Sequence, residues 1–245
     1  MPTIFLNKDA VDINELFLNE EWTLEEIHKN IYTITVEKDN LNWILKVYDR
    51  KRFALKESQN LKKLDGIKNV PKLLAVGLSD SLNYVILSKA SGVDLFDYVD
   101  LHGPFSENTI KPVARQLLTT LRKLHKRNVV HKDIKPENIM YDNEYGKITI
   151  VDFEEKYTDG YCSPEQLKNE EITEKTDIWS LGATIFYAVT GSLLFNRNKD
   201  ILNKPIHFRN SWSLDFVDFL HCLLERCVDL RYTAKEALAH VWLLD

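Results

Sequence analysis

The sequence has few cysteines and no excess of positive charge, and each shortage excludes a class of protein. Its three cysteines (Cys162, Cys222 and Cys227) form an odd set without metal-ligand spacing, so neither a disulfide scaffold nor a zinc module is supported and reduced thiols are expected. Lys and Arg number 32 against 37 Asp and Glu, for a net charge of −5. This balance lacks the basic footprint of a nucleic-acid-binding protein.

The sequence also lacks a long hydrophobic run and a recognisable targeting segment. The first residues have no basic region followed by an unbroken apolar core, as a signal peptide requires. The uncharged stretch Ile178–Phe195 is diluted by Ser, Thr and Gly, so it predicts a buried core helix rather than a membrane span. We therefore expect an intracellular, cytoplasmic protein.

The first third of the chain is rich in strand patterns. With 44% hydrophobic residues over 245 positions, the chain has ample material for a globular core. The patterns predict a hairpin around an EKDN turn, a helix with three leucines near one face, and two further strands. In chain order these are Ile31–Val36, Trp43–Tyr48, the helix with Leu55, Leu61 and Leu64, Leu73–Leu78 and Tyr84–Leu87.

The remainder of the chain is mainly helical. Apolar residues from Ile110 to Leu124 recur at helical spacing and predict an amphipathic helix with Pro112 in its first turn. Two short strands follow at Ile139–Tyr141 and Ile148–Val151, and only helices are expected from about Ile178 onward. The composition predicts an α+β protein with two lobes, a β-rich N-lobe at residues 1–88 and an α-helical C-lobe at 89–245.

The densest polar cluster is HKDIKPEN at residues 131–138, followed by DFE at 152–154. YCSPE at 161–165, DIWSLG at 177–182 and DLRYTA at 229–234 come next. In this order and spacing the motifs resemble those of the eukaryotic protein-kinase family over roughly residues 22–242. The resemblance is to the Ser/Thr branch, and most of all to calcium/calmodulin-dependent-type kinases.

The resemblance implies the two-lobed protein-kinase fold and ATP-dependent phosphorylation of protein Ser/Thr hydroxyls. Asp133 would accept or orient the proton of the attacking hydroxyl, and Lys135 would stabilise charge on the transferring phosphate. Asn138 and Asp152 would supply hard oxygen ligands for Mg²⁺, or for Mn²⁺. These residue types suit a reaction that needs positioning and charge neutralisation more than covalent catalysis.

The resemblance also implies a set of nucleotide-binding residues. Lys46 would contact the α- and β-phosphates, with Glu57 as its helix partner, although a solvated face is the alternative for Glu57 in its charged stretch. Adenine would meet the backbone around Ser88–Ala90, with Leu87 guarding the back pocket and Met140 forming the floor.

Other motif residues are expected to be structural. They are the packing residues His131 and Phe153, the core residue Trp179, Asp177 as a support of the catalytic-loop backbone, and a buried ion pair of Glu165 with Arg231.

The family's glycine-rich loop has no glycine here. Its expected position, Trp22–Ile31, contains none, and without glycine the backbone approaches phosphates less closely. His28 and Lys29 would then either compensate as side-chain cations or form a solvated turn. Ile44 at a position usually held by alanine would crowd the adenine pocket.

Glu154 stands where the family has glycine, and its carboxylate places a like charge near Asp152. These departures support a second interpretation, a pseudokinase that acts as a binding or scaffold module. A small-molecule kinase is a third, although such enzymes lack the SPE, DIWSLG and closing-arginine features seen here.

Substrate and regulation can also be predicted. Asp94 and Glu137 match positions at which basophilic relatives carry acids, so a protein substrate with basic residues is expected, unless both are solvated surface carboxylates. Only eight residues, Glu155–Cys162, separate Glu154 from Ser163, and Lys132 replaces the arginine that binds activation-loop phosphate. We therefore expect activity without activation-loop phosphorylation.

Overall fold

The computed structural model describes residues 4–6, 9–11, 22–36, 41–79, 83–154 and 156–244. Over these residues the chain divides into two compact units. The first contains the residues up to Gly66 together with Pro71–Ala90, and the second contains Ile67–Val70 and the residues from Ser91 onward.

The first unit is built on an antiparallel five-stranded sheet with the order β3-β4-β5-β7-β6. The predicted hairpin is confirmed, since β4 pairs with β5 from Ile31↔Lys46 to Val36↔Leu41; its EKDN turn lies outside the described residues. The elements are β1 (Ile4–Leu6), β2 (Asp9–Val11), β3 (Trp22–His28), β4 (Ile31–Val36), β5 (Leu41–Tyr48), α1 (Lys51–Lys63), β6 (Leu73–Leu78) and β7 (Asn83–Ser88).

The core of this sheet is formed by Ile34, Leu45 and Ile86 on three adjacent strands. In α1, Leu61 and the following Leu64 are buried, but Leu55 is 38% exposed. The prediction that the three leucines share a face was therefore wrong. At about 100° per residue, positions six and nine residues further along the chain lie on the other side of the helix from Leu55.

The second unit combines a small antiparallel sheet, ordered β10-β9-β8, with helices. A 3-10 turn at Pro136–Asn138 precedes β9. The elements are β8 (Val93–Asp94), α2 (Leu95–His102), α3 (Glu107–Lys126), β9 (Ile139–Asp142), β10 (Lys147–Ile150), α4 (Pro164–Lys168), α5 (Lys175–Thr190), α6 (Asn198–Asn203), α7 (Leu214–Leu223), α8 (Ala234–Leu238) and α9 (Val241–Leu244).

Helix α3 begins earlier than predicted. The Ser106 side chain accepts a hydrogen bond from the Thr109 amide and caps the helix, because Ser oxygens satisfy the free amides of a first turn. Pro112 therefore lies in the second turn and not in the first, where it removes one intrahelical hydrogen bond.

Helix α5 is the buried core helix expected from the uncharged stretch. Almost every residue from Thr176 to Val189 is buried. Among the described residues, no helix is both long and apolar enough to cross a membrane.

Candidate active site

Lys46 and Glu57 meet inside the first unit. Alternation along β5 turns Lys46 and Tyr48 to the same face, and both side chains reach Glu57 on α1. Lys46 Nζ lies 3.1 Å and 3.0 Å from the two Glu57 carboxylate oxygens, and the Tyr48 hydroxyl also donates to this carboxylate. Glu57 is fully buried, so the solvated-face alternative was wrong and the lysine ammonium is held in place.

The segment expected to meet adenine follows β7. The Ser88 amide donates to the Lys72 carbonyl at 2.9 Å and the Lys89 amide to the Asn42 carbonyl at 3.0 Å. Among the described residues, no acceptor bonds the amide of Ala90. Leu87 is buried, so this segment combines a fixed backbone, an available donor and an apolar neighbour.

The segment without glycine forms an ordinary β-hairpin. Strands β3 and β4 pair through a two-residue turn, with an irregularity in register between Glu26 and His28. His28 and Lys29 are exposed, so their cationic groups are accessible to solvent. Asn30 takes the left-handed conformation, at φ 61°, which Asn adopts more readily than most residues with a Cβ.

In the second unit, Asp177 holds the backbone of the catalytic loop, as predicted. Its two carboxylate oxygens accept the amides of His131 at 2.9 Å and Lys132 at 2.7 Å. His125 Nε2 lies 2.8 Å from the same carboxylate. Burial would raise the pKa of Asp177, but the hydrogen bond and charge of His125 and the amide of His131 outweigh it and lower the pKa.

Asp133 is 4% exposed and has one carboxylate oxygen occupied and one vacant. Oδ2 accepts from Asn138 Nδ2 at 3.2 Å and lies 3.7 Å from Lys135 Nζ. Oδ1 is buried without a hydrogen-bond partner among the described residues. A buried acceptor left unpaired costs free energy, and such atoms in native structures point to a function or to a bound group.

Lys135 connects the catalytic loop to the short segment after DFE. Its Nζ donates to Thr158 Oγ1 at 3.0 Å while staying 3.7 Å from Asp133 Oδ2. One ammonium group is thus positioned beside the Asp133 carboxylate and a hydroxyl of the neighbouring segment.

Asn138 and Asp152 lie at the same end of the β9–β10 ribbon. Strand β9 starts at Ile139, which pairs with Ile150 near the end of β10, and the Val151 amide bonds the Asn138 carbonyl at 2.9 Å. Both Asn138 side-chain hydrogen bonds use Nδ2, which leaves Oδ1 for a cation. With the Asp152 carboxylate, this set of hard oxygens fits Mg²⁺ or Mn²⁺.

Phe153 and Glu154, which follow Asp152, are both buried, and each contacts a partner in the chain. Phe153 is buried and packs edge to face on His131, with ring centroids 4.8 Å apart, so the predicted packing roles of both are confirmed. Glu154 is 7% exposed and its carboxylate forms an ion pair with Lys156. The extra charge of DFE therefore has a basic partner in the chain.

The segment up to Ser163 is held by Asn198 at the start of α6. Asn198 donates to the Asp159 carboxylate at 2.7 Å and accepts from the Gly160 amide at 3.3 Å. Gly160 has φ 87°, a conformation that favours glycine. Burial raises the pKa of the Cys162 thiol to about 11, which argues against a reactive thiolate. Glu155 lies outside the described residues.

Glu165 and Arg231 form the predicted buried ion pair. The two guanidinium nitrogens lie 2.7 Å and 2.9 Å from the two carboxylate oxygens, a bidentate geometry. Burial would raise the pKa of Glu165, but the hydrogen bonds and charge of Arg231 outweigh it and lower the pKa.

Sequence reasoning missed two residues that support the loop. His125 contacts Asp177, and Gln166 donates to the Lys132 carbonyl at 2.8 Å. The capping-box spacing of Ser163 and Gln166 is visible in the sequence, but no local pattern indicates the contact with Lys132.

This combination of a β-sheet unit carrying a Lys–Glu pair with a helical unit carrying the Asp-Lys-Asn loop is typical of the protein kinase domain. The family model described as protein kinase domain matches residues 30–243. The chain belongs to the protein kinase domain family, as its motifs indicated.

The chain is similar to Ser/Thr kinases, including calcium-regulated ones. It is 28% identical to serine/threonine-protein kinase cds1 of Schizosaccharomyces pombe over 86% of this chain and 55% of that protein. It is 28% identical to calcium-dependent protein kinase 5 of Plasmodium berghei, over 99% and 48% respectively. A calcium/calmodulin-dependent protein kinase of Metarhizium anisopliae is 30% identical, over 65% and 49%. The chain thus spans about half the length of these relatives.

The structure of the Cydia pomonella granulovirus kinase PK-1 is similar in fold. It matches with a TM-score of 0.81 at 21% identity, over 94% of this chain and 97% of that chain. The predicted protein-kinase fold, with a β-rich N-lobe and an α-helical C-lobe, is confirmed.

Proposed function

We propose that this chain is an ATP-dependent Ser/Thr protein kinase that transfers the γ-phosphate of ATP to protein hydroxyls. The observation that carries the proposal is the buried Oδ1 of Asp133, which has no hydrogen-bond partner among the described residues. A substrate hydroxyl would supply the missing donor there, and a proton acceptor at that atom is what the reaction requires.

The neighbouring residues have complementary roles. Lys135 Nζ, 3.7 Å from the Asp133 carboxylate, would stabilise charge on the transferring phosphate. Asn138 Oδ1 and the Asp152 carboxylate would hold Mg²⁺ or Mn²⁺, which when bound neutralises phosphate charge. Lys46, fixed by Glu57, would bind the α- and β-phosphates.

The adenine-binding roles are proposed from position. Ser88–Ala90 would meet adenine through the backbone, and the Ala90 amide, which bonds no acceptor within the described part of the chain, supports this role. Leu87 and Met140 would provide apolar contacts.

The test is phosphorylation of a generic basic protein with Mg-ATP by wild type and by the Asp133→Asn variant. The variant keeps the shape of the side chain but removes its basicity, so the rate should fall by at least about a hundredfold. Asp215→Asn, an exposed residue in the first turn of α7, is the matched control and should retain activity. Equal background in wild type and Asp133→Asn would contradict the proposal.

The second candidate is a pseudokinase that binds partners without phosphate transfer. It is favoured by the glycine-less hairpin, whose exposed His28 and Lys29 replace a flexible phosphate-binding backbone, and by Glu154. Thermal shifts with ATP, with and without Mg²⁺ or Mn²⁺, separate nucleotide binding from transfer. A nucleotide shift without phosphorylation would favour this candidate.

We further propose that activity does not need activation-loop phosphorylation. The short segment is already tied down by Lys135 at Thr158 and by Asn198 at Asp159 and Gly160. Lys132 offers a phosphate no bidentate fork. A segment with few conformations left to lose gains little order from a phosphate.

Protein substrates with basic residues before the acceptor are proposed from an acidic surface of the second unit. Asp94 caps α2, Asp97 and Asp100 follow on that helix, and Glu137 lies exposed in the catalytic loop. The pKa of Tyr187 is raised by burial and then by the charges of these four carboxylates, which supports treating them as one acidic surface. Among the described residues none of the four forms an ion pair, so their negative charge is available to a basic peptide.

A further inference from the structure

Gln166, in the first turn of α4, connects that helix to the catalytic loop through one side chain. Its Nε2 donates to the Lys132 carbonyl at 2.8 Å, and its Oε1 accepts from the Ser163 amide at 2.8 Å. The side chain is 6% exposed, so water competes little for either bond. Both ends of the amide are therefore used, one within the helix cap and one on the loop.

The bond to Lys132 acts on the peptide group that carries Asp133. The carbonyl of this peptide is held by Gln166, and its N–H donates to His131 Nδ1 at 3.3 Å. The amide of Lys132 itself bonds Asp177 at 2.7 Å. The orientation of Asp133 thus depends on contacts to both sides of Lys132.

The backbone at Lys132 is strained and needs these contacts. Its φ is 75°, in the left-handed region that is unfavourable for a residue with a Cβ. Such a conformation persists where the surroundings over-determine it. Loss of the donor to the Lys132 carbonyl would let this peptide rotate, and the Asp133 carboxylate would move with it.

We propose that Gln166 is a positioning residue for Asp133, and that its amide links α4 to the catalytic loop without a phosphate. The inference rests on the proposed kinase function. It deepens that function by naming the group that holds the catalytic loop in one conformation. A phosphate bound beside the catalytic aspartate would have the same effect. Gln166 touches no reacting atom in this role.

The discriminating variant is Gln166→Glu. A carboxylate still accepts from the Ser163 amide, so the helix cap is retained, but it cannot donate to the Lys132 carbonyl. The matched control is Gln116→Glu on α3, because Gln116 Nε2 also donates to a loop carbonyl, that of Gly146, at 2.8 Å. The control loses the same kind of bond away from the catalytic loop.

We expect Gln166→Glu to lower kcat about tenfold, with the KM for the protein substrate within about twofold of wild type, and Gln116→Glu to leave both unchanged. The ratio of variant to wild-type kcat should rise as the pH falls, because a protonated carboxyl can donate to the Lys132 carbonyl again. Gln166→Met, which has no charge to bury, should show the lower kcat without the pH dependence.

Hydrogen exchange makes the inference testable apart from catalysis. The amides of His131, Lys132 and Asp133 should exchange faster in Gln166→Glu and Gln166→Met than in Gln116→Glu, at matched thermal stability. Unchanged exchange, or a kcat within twofold of wild type in a folded variant, would overturn the inference. If wild type is no more active than Asp133→Asn, the proposed function fails, and the exchange rates alone decide the role of Gln166.

Discussion

Lys132 and Asp152 both have left-handed backbone, with φ values of 75° and 67°. For residues with a Cβ this conformation is uncommon and stores strain, and such residues cluster at functional sites. At Lys132 the cost is offset by hydrogen bonds to its amide and to its carbonyl. Lys132, which precedes the proposed base, is therefore held in a conformation that only the surrounding fold makes stable. The same is true of Asp152, the proposed metal ligand.

Metal preference is a prediction at the residue scale. Glu154 adds a carboxylate after Asp152, and crowded anions need a cation to coexist. We expect strict metal dependence with a preference for Mn²⁺ over Mg²⁺, and a lower Mn²⁺ preference in Glu154→Gly, measured as the ratio of rates with each ion. An unchanged ratio would mean that Glu154 is structural, held by Lys156.

Peptide specificity also belongs to single side chains. Asp94→Asn keeps the cap of α2, because Asn caps as well as Asp, while it removes one charge from the acidic surface. In a positional peptide library, wild type should enrich Arg and Lys before the acceptor. Asp94→Asn and Glu137→Gln should each reduce that enrichment severalfold. If wild type enriches neither Arg nor Lys before the acceptor, the proposed preference for basic substrates is wrong.

Regulation is decided at the scale of one element, the short segment before Ser163. Full dephosphorylation, verified by intact mass, should leave the rate within about twofold, because the segment is already ordered by bonds within the chain. The exposed Tyr157 is the plausible phosphosite, since Tyr161 is buried and Thr158 bonds Lys135. A tenfold loss that rephosphorylation at Tyr157, Thr158 or Tyr161 restores would show that the segment is a switch.

Helix packing in the second unit depends on Glu107 at the start of α3. Its carboxylate accepts from the Ser213 amide at 3.1 Å and from Trp242 Nε1 at 3.0 Å, so it joins α3 to α7 and α9. Glu107→Ala should lower the free energy of unfolding by about 1–3 kcal/mol, seen as a lower thermal midpoint. The exposed Glu171→Ala is the control, and an equal shift in both would contradict this role.

The stability of the whole molecule should fall in acid. Glu165 and Asp177 have pKa values below their ordinary 4.5 and 3.8. As the pH falls past those ordinary values, the unfolded chain therefore binds more protons than the folded protein does. The stabilisation is complete above about pH 4.5 and is lost as the pH falls through the lower, folded-state values. The thermal midpoint should accordingly drop as the pH falls below about 4.5.

A double variant assigns part of this dependence to one ion pair. Glu165→Gln alone leaves Arg231 buried and unpaired, which should cost about 3–5 kcal/mol. Glu165→Gln with Arg231→Met removes both charges and should show a smaller drop in midpoint on acidification than wild type. An equal drop would exclude the pair as a source of the acid sensitivity.

The sequence by itself determined the local structure and the chemical identity of the site. Runs of β-branched and aromatic residues predicted β4 and β5, and the ordered motifs indicated the kinase family, because both patterns depend on residues close together in the chain. The predicted positions of Leu55 on α1 and of Pro112 on α3 were wrong. The first error came from helical phase, and the second from the cap at Ser106, which extends α3 by a turn.

Only the tertiary structure decided which further residues hold the catalytic loop. Gln166 reaches Lys132 across 34 positions of the chain, and His125 reaches Asp177 across 52. The vacant oxygen of Asp133 likewise became visible only once its neighbours were in place. Contacts between distant positions depend on how helices and loops pack against each other, and no periodicity or short motif records that packing.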